Sequence, residues 1–113
     1  MSRIYKILPR AAWTAAHEAG RFEGSPLDLA DGFIHFSTAA QAQETAGRHF
    51  AGQADLVVLE VEADDLGEAL RWEPSRGGDL FPHLYGPLDA SRVRYVTEAP
   101  LDGEGEPVLG ALT

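Results

Sequence analysis

The stretch DGFIHFSTAAQ, residues 31–41, constrains the fold most, because it joins a turn, a short strand and a helix start. It opens with an Asp-Gly turn dipeptide, and the aromatic and β-branched residues that follow are typical of a short buried strand ending at Ser37. Thr38 and Gln41 have the spacing of a capping box, which predicts that a helix begins there. His35 is therefore expected in a strand that leads directly into a helix N-terminus.

A helix N-terminus offers free backbone N–H groups and a positive dipole end, both of which suit an anionic group such as a phosphate. His35, Ser37 and Thr38 are accordingly candidate ligand-binding residues. A histidine in a strand can equally be structural, with its ring satisfied by neighbouring groups, and both interpretations stay open at this point.

Length and composition restrict the classes of protein. A chain of 113 residues has the size of one compact domain. The absence of cysteine excludes disulfides, thiol catalysis and thiolate metal sites. A formal net charge of -9 argues against DNA as a partner and makes RNA an unfavourable one. No apolar run approaches the length of a membrane span, so we expect a cytoplasmic protein, either a monomer or a weak dimer.

Hydrophobic patterning predicts a single α+β domain over residues 1–100, followed by an acidic, Gly-rich tail at 101–113 that is flexible or loosely docked. Residues 21–32 contain Gly and Pro with little periodicity and are interpreted as a loop. The predicted strands cover residues 4–8, 33–36, 56–62, 70–73 (stopped by Pro74) and 93–97, and the predicted helices cover 11–19 (ended by Gly20) and 39–49 (closed by Gly52).

The second informative stretch is PSRGGDLFPHLYGP, residues 74–87. Gly77 and Gly78 would let the backbone approach a ligand closely, and Arg76 beside them could hold a phosphate or carboxylate. Tyr85 offers a hydroxyl group and a ring face for stacking. The alternative is a plain hairpin loop with a surface arginine.

Known motifs exclude several chemistries. The four histidines lack the i, i+2 or i, i+4 spacing of a metal site, so no metal is predicted, and the nucleophile-elbow, P-loop and dinucleotide-binding motifs are absent. What remains is a polar group of His35, Arg76, His83 and Tyr85, expected to converge from two strand-like stretches. Imidazoles and an arginine in an otherwise acidic protein would form a compact pocket for an anion or a nucleotide.

Three segments carry a family resemblance: IYKILPRAAW, DGFIHFSTAAQ and SRGGDLFPHLYGPL. Between about residue 3 and residue 98, the sequence resembles an uncharacterised bacterial family, domain-of-unknown-function family 952. The resemblance implies an ADP-ribosyltransferase-like fold with two small, mostly antiparallel sheets and two main helices. It also implies NAD, or another nucleotide, as the ligand held between those sheets.

Carried over by position, the resemblance places Lys6 near the first-strand His or Arg of that superfamily, His35 where a Tyr is commoner, and His83 near the catalytic Glu. A histidine cannot supply the negative charge with which that Glu stabilises an oxocarbenium-like transition state. A related RNA phosphotransferase branch works without the acid and directs basic and His groups at a phosphate.

Together, the residues and the resemblance predict a pocket for NAD or a similar nucleotide, in which ADP-ribosyl or phosphoribosyl-type transfer proceeds without the usual Glu. His35 and His83 are the predicted catalytic residues, with His35 orienting the ribose or nicotinamide end and His83 acting as acid/base. The alternative is a noncatalytic small-ligand-binding or protein-interaction module whose histidines are structural. The predicted ligand-binding residues are Arg76, Tyr85, Ser37, Thr38, Lys6, Gly77 and Gly78.

Overall fold

The computed structural model describes residues 2–110 and 112, except that the side chain of Arg76 lies outside the description. The chain has an α+β fold built from small antiparallel sheets, as expected, but with three α-helices instead of two. The strands are β1 (Arg3–Pro9), β2 (Arg21–Phe22), β3 (Ile34–His35), β4 (Leu56–Glu62), β5 (Leu70–Ser75), β6 (Asp79–Leu84), β7 (Leu88–Asp89) and β8 (Val93–Ala99). The α-helices are α1 (Arg10–Ala19), α2 (Pro26–Asp31) and α3 (Ala39–His49), and 3₁₀ helices cover Ala63–Ala69, Arg76–Gly78 and Ala90–Arg92.

Two three-stranded sheets form the body of the molecule, with strand orders β1-β4-β8 and β3-β6-β5. An isolated antiparallel bridge between Tyr5 and Ser37 connects the first sheet to the chain that leaves the second. The strands β2 and β7 pair separately as a third, two-stranded sheet. Since none of the helices in the described part of the chain is long and apolar enough, no helical membrane span was found there.

Strand β1 is buried on both faces and divides the hydrophobic core into two clusters. Ile4 and Leu8 pack into one cluster together with β4 residues, while Tyr5 and Ile7 pack into the other beneath α3. This follows from the period-two geometry of a strand, which sends alternate side chains to opposite faces. The remaining residue of the run, Lys6, is also buried, at 6% exposure, and needs a partner there.

The predicted loop at residues 21–32 is the main correction, because it contains β2 and the six-residue helix α2. Ser25 and Asp28 form a capping box around Pro26 at the first helical turn. Gly32 ends the helix with a left-handed backbone at φ 88°. These three local signals fix a helix where the Gly and Pro content had indicated a loop.

Smaller corrections concern the ends of elements. β5 continues through Pro74 to Ser75, which a proline permits because β5 is an edge strand of its sheet. Helix α3 begins at the predicted capping box of Thr38 and Gln41, but its C-cap is Phe50, two residues before Gly52.

The acidic tail packs against the body of the protein in its described part. Leu109 is 5% exposed and belongs to the cluster beneath α3. The side-chain amide of Gln43 donates to the Pro107 carbonyl, and the backbone N–H of Gly52 donates to the Gly105 carbonyl. Residues 101–110 are therefore held by a buried side chain and by hydrogen bonds to α3 and the chain that follows it.

Candidate functional site

Two histidines lie side by side on one face of the β3-β6-β5 sheet. His35 of β3 and His83 of β6 are direct partners in the antiparallel register, so their side chains share a face. Their ring centroids are 5.5 Å apart, with the rings edge to face. The structure thus brings together the two predicted catalytic histidines.

Asp28 of helix α2 holds His35 in place. One carboxylate oxygen, Oδ1, lies 2.6 Å from His35 Nδ1 and also accepts the backbone N–H of His35 at 3.1 Å. The Nζ atom of Lys6 donates to the same carboxylate at 2.9 and 3.0 Å. Asp28 is only 2% exposed, and with the backbone N–H of Ser25 at 2.8 Å this buried carboxylate accepts hydrogen bonds from three segments of the chain.

Burial and pairing act in opposite directions on the pKa values of this buried pair. Burial would raise the pKa of Asp28, but the hydrogen bond from His35 and the charge of Lys6 outweigh it and hold that pKa well below its ordinary value. Burial lowers the pKa of Lys6, and the Asp28 carboxylate opposes that change. The site therefore depends on a carboxylate that stays ionised inside the protein.

The other ring nitrogen of His35 meets a second carboxylate. Nε2 lies 2.9 Å from Oδ2 of Asp31, at the end of α2. Ionised carboxylates only accept hydrogen bonds, so the ring can donate to Asp28 and Asp31 at once only with a proton on each nitrogen.

His83 forms a second histidine–carboxylate dyad, with Glu73 of the neighbouring strand β5. Its Nδ1 lies 2.8 Å from Glu73 Oε1, and the Tyr85 hydroxyl donates to the same oxygen at 2.7 Å. These two hydrogen bonds lower the pKa of Glu73, and the bond to Glu73 raises the pKa of Tyr85. The Tyr85 phenol is thus held in its protonated form as a hydrogen-bond donor.

Aromatic rings cover one side of the paired histidines. Phe33 stacks on His83 with ring centroids 4.1 Å apart and contacts the Tyr85 ring at 5.2 Å. The guanidinium carbon of Arg71 lies 4.9 Å from the centroid of Tyr85. Tyr85 therefore has ring contacts on the protein and is 39% exposed, but it does not line the cavity that adjoins the two dyads.

A cavity of about 710 Å³ adjoins both dyads and lies between the two larger sheets. This volume is in the range of small-molecule sites in proteins. Its wall combines residues of β1, α2, β3 and β6 with the C-terminal end of α3. The polar groups that line it include Lys6, Asp28, Asp31, His35, Ser37, Arg48, His49 and His83.

Several predicted ligand-binding residues have structural roles. Lys6 lines the cavity with its ammonium group on Asp28. Ser37 also lines it, but its hydroxyl is 2.9 Å from that of Thr45. Thr38 caps α3 by accepting the Gln41 N–H at 3.3 Å, and its own N–H donates to the Gln41 side chain.

The hairpin glycines lie away from the dyads. Gly77 and Gly78 form the tip of the β5–β6 hairpin, with φ values of 75° and 94°, and neither lines the cavity. From Gly78 to His83 the strand advances roughly 16 Å. The glycines thus serve the turn, and no atom crowds the position of a Cβ at either residue. The predicted phosphate contact of Arg76 falls on a side chain outside the described residues.

Sequence reasoning missed both carboxylates that hold the histidines. Asp28 was available from its capping-box spacing with Ser25, which identifies a helix start. Glu73 shares a strand face with Arg71, and that strand pairs with the one carrying His83. Among residues 2–110 and 112, no group of three His, Asp or Glu side chains has the geometry to hold a metal ion.

Fold and site define a small α+β protein with two histidine–carboxylate dyads beside a cavity between its sheets. The chain belongs to the family described as protein of unknown function (DUF952), whose profile matches residues 7–96. No curated protein matches the chain.

Solved structures of one protein are similar over nearly the whole chain. The crystal structure of protein CC0527 from Caulobacter crescentus is 60% identical, with 96% of each chain covered and a TM-score of 0.94. The solution NMR structure of CC0527 is 61% identical, with 95% of this chain and 92% of that chain covered and a TM-score of 0.85. The similarity therefore extends well beyond the segments that line the cavity.

Proposed function

We propose that the protein binds NAD or a related nucleotide in the cavity between its sheets and catalyses transfer at the ribose-phosphate part of that ligand. The paired dyads carry this proposal. His35 and His83 lie in register on adjacent strands, and each has its Nδ1 on a carboxylate. A histidine held through Nδ1 can use Nε2 as an acid or a base, and two of them can serve both ends of one transfer step once Asp31 leaves Nε2 of His35.

The arrangement of the sheets supports an ADP-ribosyltransferase-like fold, and with it a nucleotide as the ligand. Two antiparallel three-stranded sheets flank the cavity, as an ADP-ribosyltransferase-like fold requires, and the short bridge between Tyr5 and Ser37 connects them. We infer that the fold is of this type. Lys6 and His35 then occupy the wall of the cavity from one sheet each.

The position of Glu73 helps to decide between ADP-ribosyl transfer and phosphoryl-ribose transfer. The usual catalytic acid is replaced by His83 in the sequence, yet the carboxylate of Glu73 lies 2.8 Å from the ring of His83. The Glu73 carboxylate is hydrogen-bonded to His83 and Tyr85. It would therefore act on a ligand indirectly, by orienting and polarising those two side chains. Phosphoryl-ribose transfer, which needs an acid/base pair, is therefore the reaction that the geometry favours over ADP-ribosyl transfer.

Calorimetric titration with NAD, ADP-ribose and mononucleotides, followed by an assay for nicotinamide or phosphate release, tests the proposal. His35→Gln and His83→Gln should each reduce turnover by about a hundredfold or more, the usual contribution of a general acid or base. His17→Gln is the matched control, because His17 is exposed in α1 and does not line the cavity. Binding of no nucleotide at all would contradict the proposal.

The second candidate is a noncatalytic binding or interaction module with structural histidines. It is favoured by the low exposure of His83, 5%, and by the Phe33 ring stacked on it. In that case His83→Gln should lower the melting temperature and leave ligand affinity unchanged, because a buried hydrogen bond to Glu73 is lost without loss of a ligand contact. Stability and affinity measured on the same variant separate the two functions.

A further inference from the structure

Asp31 covers the side of the His35 ring that faces the cavity. Its Oδ2 lies 2.9 Å from Nε2, the nitrogen that Asp28 does not use. The Asp31 side chain is 43% exposed and that of His35 is 29% exposed, so this contact lies at the mouth of the cavity. Within the described part of the chain, His35 is the one polar partner of the Asp31 carboxylate.

The neighbouring histidine, His83, has its Nε2 atom without a hydrogen bond from the described residues. His83 has a side-chain exposure of 7%, and its Nδ1 is held by Glu73. Among the described residues, no hydrogen bond involves its Nε2. A buried polar nitrogen on a cavity wall requires a hydrogen-bonding partner, and the wall of this cavity includes His83.

We propose that a phosphate group of the ligand binds across Nε2 of His35 and Nε2 of His83, and that it takes the place of the Asp31 carboxylate. This inference rests on the proposed function and deepens it, because it fixes which part of a nucleotide lies at the paired histidines. Asp31 is then an internal stand-in for the ligand's anionic group.

Displacement of Asp31 is favourable for three reasons. The contact of Asp31 with His35 is partly exposed, and exposed polar pairs of that kind contribute little to stability. Asp31 is the last residue of a six-residue helix, next to Gly32, so its side chain can leave without disturbing the core. A phosphate monoanion carries both acceptor oxygens and P–OH donors, so it can accept from Nε2–H of His35 and donate to the lone pair of His83 Nε2 at once, whereas the Asp31 carboxylate contacts only His35.

The other charges at the site fit an incoming anion. The negative charge of Asp28 is already stabilised by Lys6 and by its hydrogen bond to His35. That of Glu73 is stabilised by hydrogen bonds to His83 and Tyr85. Of the carboxylates around the two rings, Asp31 is the one that an incoming phosphate must displace.

The test uses inorganic phosphate as the probe and the full chain as the protein. Phosphate is titrated into wild type, Asp31→Asn and Asp65→Asn, with the imidazole NMR signals of His35 and His83 as the readout. Asp65→Asn is the matched control, because it also removes one negative charge and one exposed ion pair, that with Arg94 at 3.5 Å, away from the cavity.

We expect Asp31→Asn to bind phosphate about two- to fivefold more tightly than wild type, since the competing carboxylate is gone, and Asp65→Asn to bind like wild type. The signals of both histidines should shift together. His83→Gln should abolish the shift of His35, provided that its circular dichroism and melting transition show a folded protein.

Equal phosphate affinity of Asp31→Asn and Asp65→Asn, or no phosphate binding to either, overturns the inference. If nucleotides nevertheless bind wild type and are turned over, the proposed function survives that failure. Conversely, tight phosphate binding to Asp31→Asn without binding of any nucleotide supports the anion site and contradicts the proposed nucleotide function.

Discussion

At the scale of single residues, the site is organised by Asp28. Its carboxylate binds the ammonium group of Lys6, the ring and backbone of His35, and the backbone N–H of Ser25. One side chain thereby fixes the start of α2, neutralises a buried lysine and orients a candidate catalytic ring. A single substitution of Asp28 would therefore change the helix start, the buried lysine and the candidate catalytic ring together.

Asp28→Asn should lower the free energy of unfolding by about 3–5 kcal/mol, because it leaves the ammonium group of Lys6 buried without a charged partner. Urea denaturation monitored by circular dichroism measures this. Asp55→Asn is the control, since Asp55 pairs with Arg10 at 2.8 Å on the surface and should cost less than about 1 kcal/mol. A similar loss in both variants would refute the buried-pair explanation.

The pH dependence of stability follows from the same carboxyl group. The pKa of Asp28 in the folded protein is below its ordinary value of 3.8, so the unfolded chain binds more protons just below that pH. The stabilisation is therefore complete above pH 3.8 and is lost as the pH falls below it. Denaturation midpoints between pH 6 and pH 2.5 should fall steeply for wild type and less steeply for Asp28→Asn.

The residues of the site differ in how far the sequence could predict them. His35 and His83 stand in strand-like stretches bounded by turn residues, so local patterning was enough to select them. Asp28 and Lys6 are 22 positions apart and share no periodic relation, so their ion pair depends on tertiary packing. Glu73 could be placed on a strand face, but its pairing with His83 needs the register of β5 against β6.

At the scale of elements, prediction succeeded where the signal is local. The helix α3 begins at the Thr38–Gln41 capping box, and α1 ends at Gly20 in a left-handed conformation, both as predicted. The strands β2 and β7 have two residues each, and their pairing joins Arg21 to Asp89. Two residues carry no detectable period, so such an element can be found only from the folded chain.

Thr38 allows capping to be separated from ligand binding. Thr38→Ala should lower the free energy of unfolding by about 1 kcal/mol, because the Gln41 N–H loses its side-chain acceptor. Nucleotide affinity should stay unchanged, because Thr38 does not line the cavity. Thermal denaturation and calorimetry measure the two quantities. Thr14→Ala, on the exposed face of α1, is the control and should change stability by less than about 0.5 kcal/mol.

At the scale of the whole molecule, the tail is part of the second core cluster. Leu109 packs with Tyr5, Ile7, Ala42 and Ala46, residues that belong to β1 and α3. Those two elements also form one wall of the cavity. Composition predicted a tail that is flexible or loosely docked, because the glycines and acidic residues dominate it and a single leucine hardly changes its composition.

Leu109→Ala should therefore lower the free energy of unfolding by about 2–5 kcal/mol, through lost burial and the cavity left behind. Val108→Ala is the adjacent control, because Val108 is 43% exposed and should change stability by less than about 0.5 kcal/mol. Chemical denaturation of both variants provides the comparison. Equal effects would mean that the tail adds nothing to the core.

The strand order β1-β4-β8 is built from non-local pairings, which tend to slow folding. In that sheet Arg3 pairs with Glu62, and Leu56 pairs with Ala99, so each contact closes a long loop of chain. The entropy of closing such loops is lost before the contacts form, so folding is expected to be slower than that of a helical bundle of the same size. During synthesis, the second edge of β4 stays unpaired until residues 93–99 have been made. Until then, that edge can pair with a strand of another chain. The sheet whose strand β1 lines the cavity thus has an inner strand with one unpaired edge until β8 has been made.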